Sequence, residues 1–353
     1  MSEAAVLWGA ILGRKTLGDK GQRRFTRAFV IADDRDAALL RWLNASQHSG
    51  DLSCSPILKA VDMIEAGLKM FESLRIEDVF QTQRISKNVI EKIRKSVPIS
   101  TGKPEGLTVD RQGAAVVFLE LGRACTATFQ DAWDTGARGR NDDQNMVTLW
   151  FIRCMEYLRS TVMPVVREEG RPDWDKVVVV VDCQGAPSQL MTNRVKRCLT
   201  VLLSVGSGVY CGLLKHIYLV NMHPQQKPLW ALFEKLLGPA VRDMVTITGK
   251  EDTHDTLLQH IDPLCLPESF GGRLPRDGLL DDFSDNLGQL VDCESELESP
   301  TYSPAKARAR FHSLDAAEVV PPWLTTLHLL VSAPRWATCC VFRPKALGDV
   351  LDD

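Results

Sequence analysis

A chain of 353 residues with 44% hydrophobic and 25% charged residues has the composition of a soluble globular protein, with core enough for one large domain or two small ones. Its net charge of −3 excludes the strong positive field of a typical nucleic-acid binder. Ten cysteines without a C-x-x-C pair, several of them inside apolar runs (Cys154, Cys198, Cys211), read as core thiols in a reducing compartment.

Residues 1–30 carry Arg14, Lys15, Lys20, Arg23, Arg24 and Arg27 around a small apolar patch, Val6 to Leu12. The pattern predicts a loosely packed extension with a solvated basic face; attraction to anionic lipid is the functional alternative. Ser2-Glu3-Ala4 has no basic n-region and Ser2 is not a myristoylation site, so neither a secretory leader nor that anchor is expected. No stretch approaches the length of a membrane span.

Ala38, Leu39, Trp42 and Leu43 give Asp36 to Ala45 one apolar helical face, with Arg41 outside it. Ile57, Val61, Ile64, Leu68 and Phe71 repeat the pattern, so the two segments form a helical hairpin. Residues 85–95 are a further amphipathic helix, and a loop runs from Pro98 to Gly106. Leu107 to Gly113 turning into Ala114 to Leu119 reads as strand–turn–strand. Met146 to Arg167 is a long helix. Val177 to Val181 is an unbroken β-branched run and predicts a central strand buried on both faces. A helix is expected over Gln189 to Leu203.

His216 to Asn221 predicts another strand. Leu229, Leu232, Phe233, Leu236, Leu237, Ala240, Val241 and Met244 then recur at helical spacing, with Pro228 in the first turn. Gly238-Pro239 kinks or splits this helix, since proline lacks the amide donor. Val245 to Ile247 is a strand ended by Gly249, and Asp252 to Ile261 a short helix. Beyond Gly272 acidic residues dominate up to Pro300, too polar for a core. Val319 to Phe342 is apolar again; it either packs back on the domain or contacts a protein partner.

Three stretches imitate catalytic or metal sites. Gly9 to Thr16 lacks the glycine spacing and the preceding strand of a phosphate-binding loop. Cys183 follows a buried strand, but a C-x5-R loop needs arginine where Gln189 stands, so the thiolate has no activator. His254, His260 and Cys265 lack metal-ligand spacing. No enzyme activity, cofactor or metal is expected.

Leu266-Pro267-Glu268-Ser269-Phe270-Gly271-Gly272 resembles the "LP-x-x-F/Y-G-G" signature that closes the CRAL-TRIO (Sec-fourteen-like) lipid-binding domain. Leu39-Leu40-Arg41-Trp42-Leu43 resembles the opening of that family's N-lobe, and Asp110 to Gly122 and Asp182-Cys183-Gln184-Gly185 resemble two of its internal motifs. The resemblance covers roughly residues 36–272. It implies an α/β fold: a helical N-lobe on a mixed β-sheet floor covered by helices, with an apolar cavity closed by a gate helix. It divides the chain into an extension (1–35), an N-lobe (36–95), a lipid-binding domain (96–275) and an acidic linker with an apolar tail (276–353). The implied ligand is one lipid-like molecule, exchanged at membranes by a cytoplasmic, peripherally docking protein. The same fold with a vestigial pocket, as in regulators of small GTPases, is the alternative.

By position in the family, Val177, Val179 and Val181 line the cavity from the central strand, and Ile217 and Leu219 from the next. Phe233, Leu237, Val241 and Met244 line it from the gate helix, and Trp230, off the apolar stripe, meets the membrane. The hydroxyls with which the phosphatidylinositol/phosphatidylcholine exchangers hold phosphate are Val177 and Val179 here. Their gate-helix Thr and Lys are Val241 and Met244. The ligand expected is therefore a weakly polar hydrophobe rather than phosphatidylinositol.

Overall fold

A computed structural model of the chain describes residues 2–14, 18–47, 55–76, 85–103, 106–136, 145–186, 192–226, 230–231, 234, 237, 239–281 and 290–291. Helices α1 (Glu3–Gly13), α2 (Gly18–Phe29), α3 (Arg35–Gln47) and α4 (Pro56–Ser73) build a lobe; the short strand β1 (Ile85–Ser86) and α5 (Lys87–Ser96) follow. The expectation of a loosely packed extension over residues 1–30 is corrected. Leu7, Ile11, Phe25 and Phe29 are all buried in the main core. Phe25 and Phe29 stand one turn apart, and their rings run from Trp8 to Trp42 at centroid distances of 5.7, 5.5 and 4.9 Å. The arginines around them, Arg23, Arg24 and Arg27, masked that stripe in the sequence.

Arg41 is also not outside. It is 4% exposed, its Nη1 donates to Asp175 Oδ2 at 2.6 Å and its Nη2 to the Phe29 carbonyl at 2.7 Å. One guanidinium thus ties α3, the end of α2 and the approach to the sheet. Helix periodicity could not foresee this, because Asp175 lies 134 residues away.

The sheet contains β2 (Ile99–Gly102), β3 (Ala115–Glu120), β4 (Val177–Asp182), β5 (Leu214–Val220), β6 (Val245–Ile247) and β7 (Leu279–Asp281), in the order β6-β5-β4-β3-β2-β7. The four strands from β3 to β6 are parallel; β2 and β7 add on antiparallel. Two expectations change here. The loop over Pro98 to Gly106 contains β2, and Leu107 to Gly113 contributes only isolated bridges, Val109 to Ala115 and Asp110 to Ile261. The stretch after Gly272 is not linker from its start, because β7 extends the sheet and Leu290–Val291 (β8) pairs with β1.

Between β3 and β4 run α6 (Thr126–Gly136), α7 (Met146–Tyr157) and α8 (Met163–Glu168). A π-turn, Leu158–Val162, joins the last two, so the expected long helix is continuous but bulged. After β4, α9 (Asn193–Val209) starts at a Thr192 cap and crosses α4 at glycine. A Cβ on Gly67 would lie 2.6 Å from the Gly208 carbonyl oxygen, so backbone meets backbone there. The short α10 (Pro239–Arg242) begins at the proline expected to split its helix, and α11 (Lys250–His260) follows β6.

Candidate functional site

The two faces of the sheet are treated differently. On one face Val116, Phe118, Val178, Val180, Tyr218 and Val220 pack against Leu257 of α11, Ile261 just beyond it, and Leu266 and Phe270 of the Leu266–Gly272 turn. Val178 is 1% exposed, Val180 and Val220 0%. The Phe118 and Phe270 rings stack at 5.5 Å. The glycines of the turn explain themselves: Gly271 has φ +83°, and a Cβ on Gly272 would meet the Leu266 carbonyl oxygen at 1.8 Å. The Gly271 carbonyl lies 3.1 Å from His254 Nε2, which fastens the turn to α11.

The opposite face carries the other register of each strand. Val117, Val179, Ile217 and Val245 pair in one row, and Leu119, Val181, Leu219 and Ile247 in the next. Near the amino ends of the strands this face is sealed by the helices, with Ala115, Val117 and Val177 in the main core. Toward the carboxyl ends it opens in part, with Val181 still buried. Leu119, Val179, Ile217, Leu219 and Val245 are half-buried and Ile247 is 42% exposed. Crevices at the carboxyl ends of parallel strands are where open α/β sheets take ligands. All eight side chains of the two rows are aliphatic.

Val177, Val179 and Val181 therefore share a face with Ile217 and Leu219. The expectation that the valine run is buried on both faces is corrected at Val179, which is half-buried. Of the second group, Leu237 is buried, Val241 and Met244 are half-buried, and Phe233 lies outside the described residues. The Met244 carbonyl accepts from Ile217 N at 2.9 Å, which brings Met244 beside the floor. Trp230 is helical and half-buried. Leu119, Val245 and Ile247 were not among the sequence candidates; alternation along β3 and β6, counted from Val117 and Val245, is the signal that finds them.

The loops at this end of the sheet are pinned. Asp182 Oδ1 accepts from Gln184 N at 2.9 Å and from Asn221 Nδ2 at 2.8 Å, linking the ends of β4 and β5. Asn221 has φ +54° and its amide donates to Thr253 Oγ1 at 3.0 Å. Gln226 Nε2 donates to the Cys183 carbonyl at 2.8 Å. The Cys183 thiol is buried and pushed up to about 12, by burial first and then by the Asp182 charge. A thiol in that state supplies no thiolate nucleophile near neutral pH. Among the described residues no group of three or more His, Cys, Asp or Glu is arranged to hold a metal ion.

Residues 105–272 match the CRAL/TRIO domain family. Over this span, a little under half of the chain, the sequence is similar to that domain family. Its matched span opens just before Leu107 and closes on Gly272, so it takes in β3 to β6 and both faces of the floor, with α1 to α5, β2 and β7 lying outside it. Among curated proteins, the phosphatidylinositol/phosphatidylcholine transfer protein SFH7 of Arabidopsis thaliana is 22% identical over 169 residues, 46% of this chain. The aligned part spans only 28% of that relative's length. The crystal structure of Sfh5 superposes on 75% of this chain and 79% of its own, at 15% identity and a TM-score of 0.43. Among the described residues no helix is long and apolar enough to cross a membrane.

Proposed function

We propose that this protein binds one hydrophobic, lipid-like molecule on the open face of its sheet and exchanges or presents it at membranes. The observation that carries the reading is the asymmetry of one strand: Val178 and Val180 are sealed, while Val179 between them faces an aliphatic floor left half-open. A lipid loses on the order of 0.8 kcal/mol for each methylene it exposes to water. An apolar floor removes that penalty, so transfer between bilayer and protein becomes nearly neutral and reversible. The lining proposed is Val177, Val179, Val181, Ile217 and Leu219, joined by Leu237, Val241 and Met244.

The ligand proposed is weakly polar: a sterol, isoprenoid, fatty acid or diacylglycerol-like lipid. A buried phosphate needs charge-assisted partners, and the two floor rows are aliphatic throughout. Native mass spectrometry of protein purified from a eukaryotic cytosol tests this. The expected species is a one-to-one adduct with such a lipid. A dominant phosphatidylinositol adduct would refute the choice and turn attention to Lys227, Lys235 and Arg242. An empty protein would favour an interaction module of the same fold.

Trp230 is proposed to meet the membrane interface, where an amphipathic ring is favourable. Trp230→Ala is expected to weaken liposome binding and to slow lipid exchange between vesicles while the melting temperature barely moves. Unchanged binding together with unchanged exchange would remove the residue from this role.

A further inference from the structure

At the amino end of β5 the sealed face carries a cluster of rings. His216 is half-buried, and its ring lies 4.4 Å from that of Tyr218. Tyr218 in turn meets His260, the last residue of α11, at 5.4 Å. His216 Nε2 and Thr246 Oγ1, the latter on β6, are 2.8 Å apart. One histidine thus touches β5 and β6 and, through Tyr218, the end of α11.

The groups around His216 make a positive charge there costly. From β4 comes Val178, its register partner, and from β6 the Thr246 hydroxyl; neither carries charge. The Tyr218 phenol, pushed up to about 12 by burial first and then by the Asp110 charge, stays neutral. Lys215 beside it on β5 and His260 on α11 repel a second cation. Arg111 is held at the same corner: its Nη2 donates to the Leu258 carbonyl at 3.0 Å and its amide to the His260 carbonyl at 2.8 Å. The Asp110 and Asp173 carboxylates both pair with the Lys215 ammonium. Asp262, two residues past His260, accepts from the Leu264 amide. Arg242 and Asp243, just ahead of β6, are exposed to solvent, which screens them. Burial first, then His260 and Lys215, hold the His216 imidazole below its ordinary value. Folding therefore favours the neutral ring. The stability this contributes is complete above the ordinary histidine value of about 6.5 and is lost as pH falls from there through the lowered one.

The element next to this cluster is a weak one. β6 is three residues long and forms one edge of the sheet. The Ile217 amide donates to the Met244 carbonyl and the Thr248 amide to the Leu219 carbonyl, each at 2.9 Å, and both bonds hold β6 to β5. The other face of β6 supplies Val245 and Ile247 to the open floor.

We propose that His216 is an acid-sensitive latch: when its ring takes up a proton, β6 and the end of α11 loosen from β5 and the floor releases its ligand. The release rests on the lipid-binding reading; the loosening does not. Hydrogen exchange of the full chain at pH 7.5 and 5.5, corrected for intrinsic rates, tests the loosening. Protection of the Ile217 and Thr248 amides is expected to fall at least about threefold at pH 5.5. His216→Gln and His216→Phe, the second keeping a ring against Tyr218, are expected to abolish that fall. The fraction of protein keeping its lipid adduct in native mass spectrometry, after incubation with phosphatidylcholine vesicles, tests the release. It is expected to drop at pH 5.5 in the wild type and to be independent of pH in both variants. Unchanged or increased protection at pH 5.5 would overturn the latch, as would an equal fall in variants and wild type. A loss shared equally by the amides of α4 would be global acid unfolding and would overturn it too. Loosening without faster release would overturn the coupling to the floor. His216-dependent loosening of a protein that carries no lipid at either pH would uphold the latch and overturn the lipid-binding reading alone.

Discussion

Arg41→Ala is expected to destabilise the protein by about 3–5 kcal/mol, because it strands the Asp175 carboxylate in the interior. Both partners are buried, and the same guanidinium also satisfies the Phe29 carbonyl, which α2 would otherwise leave without a donor. The pair is a junction: α3, the end of α2 and the residue two before β4 meet at one side chain. Arg41→Lys keeps the charge but has no fork to span both acceptors, so it is expected to recover only part of the loss. Replacing both charges, Arg41→Met with Asp175→Leu, is expected to recover most of it, since paired burial of ions contributes little net stability. Urea unfolding of the three variants decides. A loss below about 1 kcal/mol for Arg41→Ala would mean that water reaches Asp175 and that the junction is not sealed.

The second large effect separates the faces of one strand. Val179→Trp is expected to fill the open floor and abolish uptake of lipid from vesicles, with only a modest fall in melting temperature. Val180→Trp, one residue on, pushes the same ring into the sealed layer under α11 and is expected to cost about 1–3 kcal/mol or more by overpacking. The adjacent substitutions thus exchange effects: one removes function and spares stability, the other does the reverse. Strong destabilisation by Val179→Trp, together with a wild type that takes up no lipid, would mean that the floor is ordinary core, and the interaction-module reading would replace the lipid-binding one.

Much of the fold was legible because its signals are local. The valine run, the apolar stripes of α3, α4 and α5, and the proline that opens α10 each declare themselves within a few residues. The glycines of Leu266–Gly272 are legible for the same reason: a positive φ at Gly271 and a close backbone approach at Gly272 are demands of a single turn. The sheet ends were less so. β2 is only four residues long and β7 three, and neither carries enough alternation to stand out from a loop.

The sequence by itself determined the central strands and the helices between them, the Leu266–Gly272 turn and the aliphatic character of the candidate floor. It could not say which side of Val177 to Val181 is sealed, because five consecutive valines have no alternation to mark a face. That was decided by α11 and Phe270, which close one side, and by the described helices on the other, which bury Ala115, Val117 and Val177 and leave Val179 half-buried. Nor could it bury Arg41 or fold residues 3–29 into the lobe. A guanidinium is buried only where a carboxylate meets it, and the carboxylate here is supplied from 134 residues away. Local periodicity reports which residues can share a face; only tertiary contact decides what that face meets.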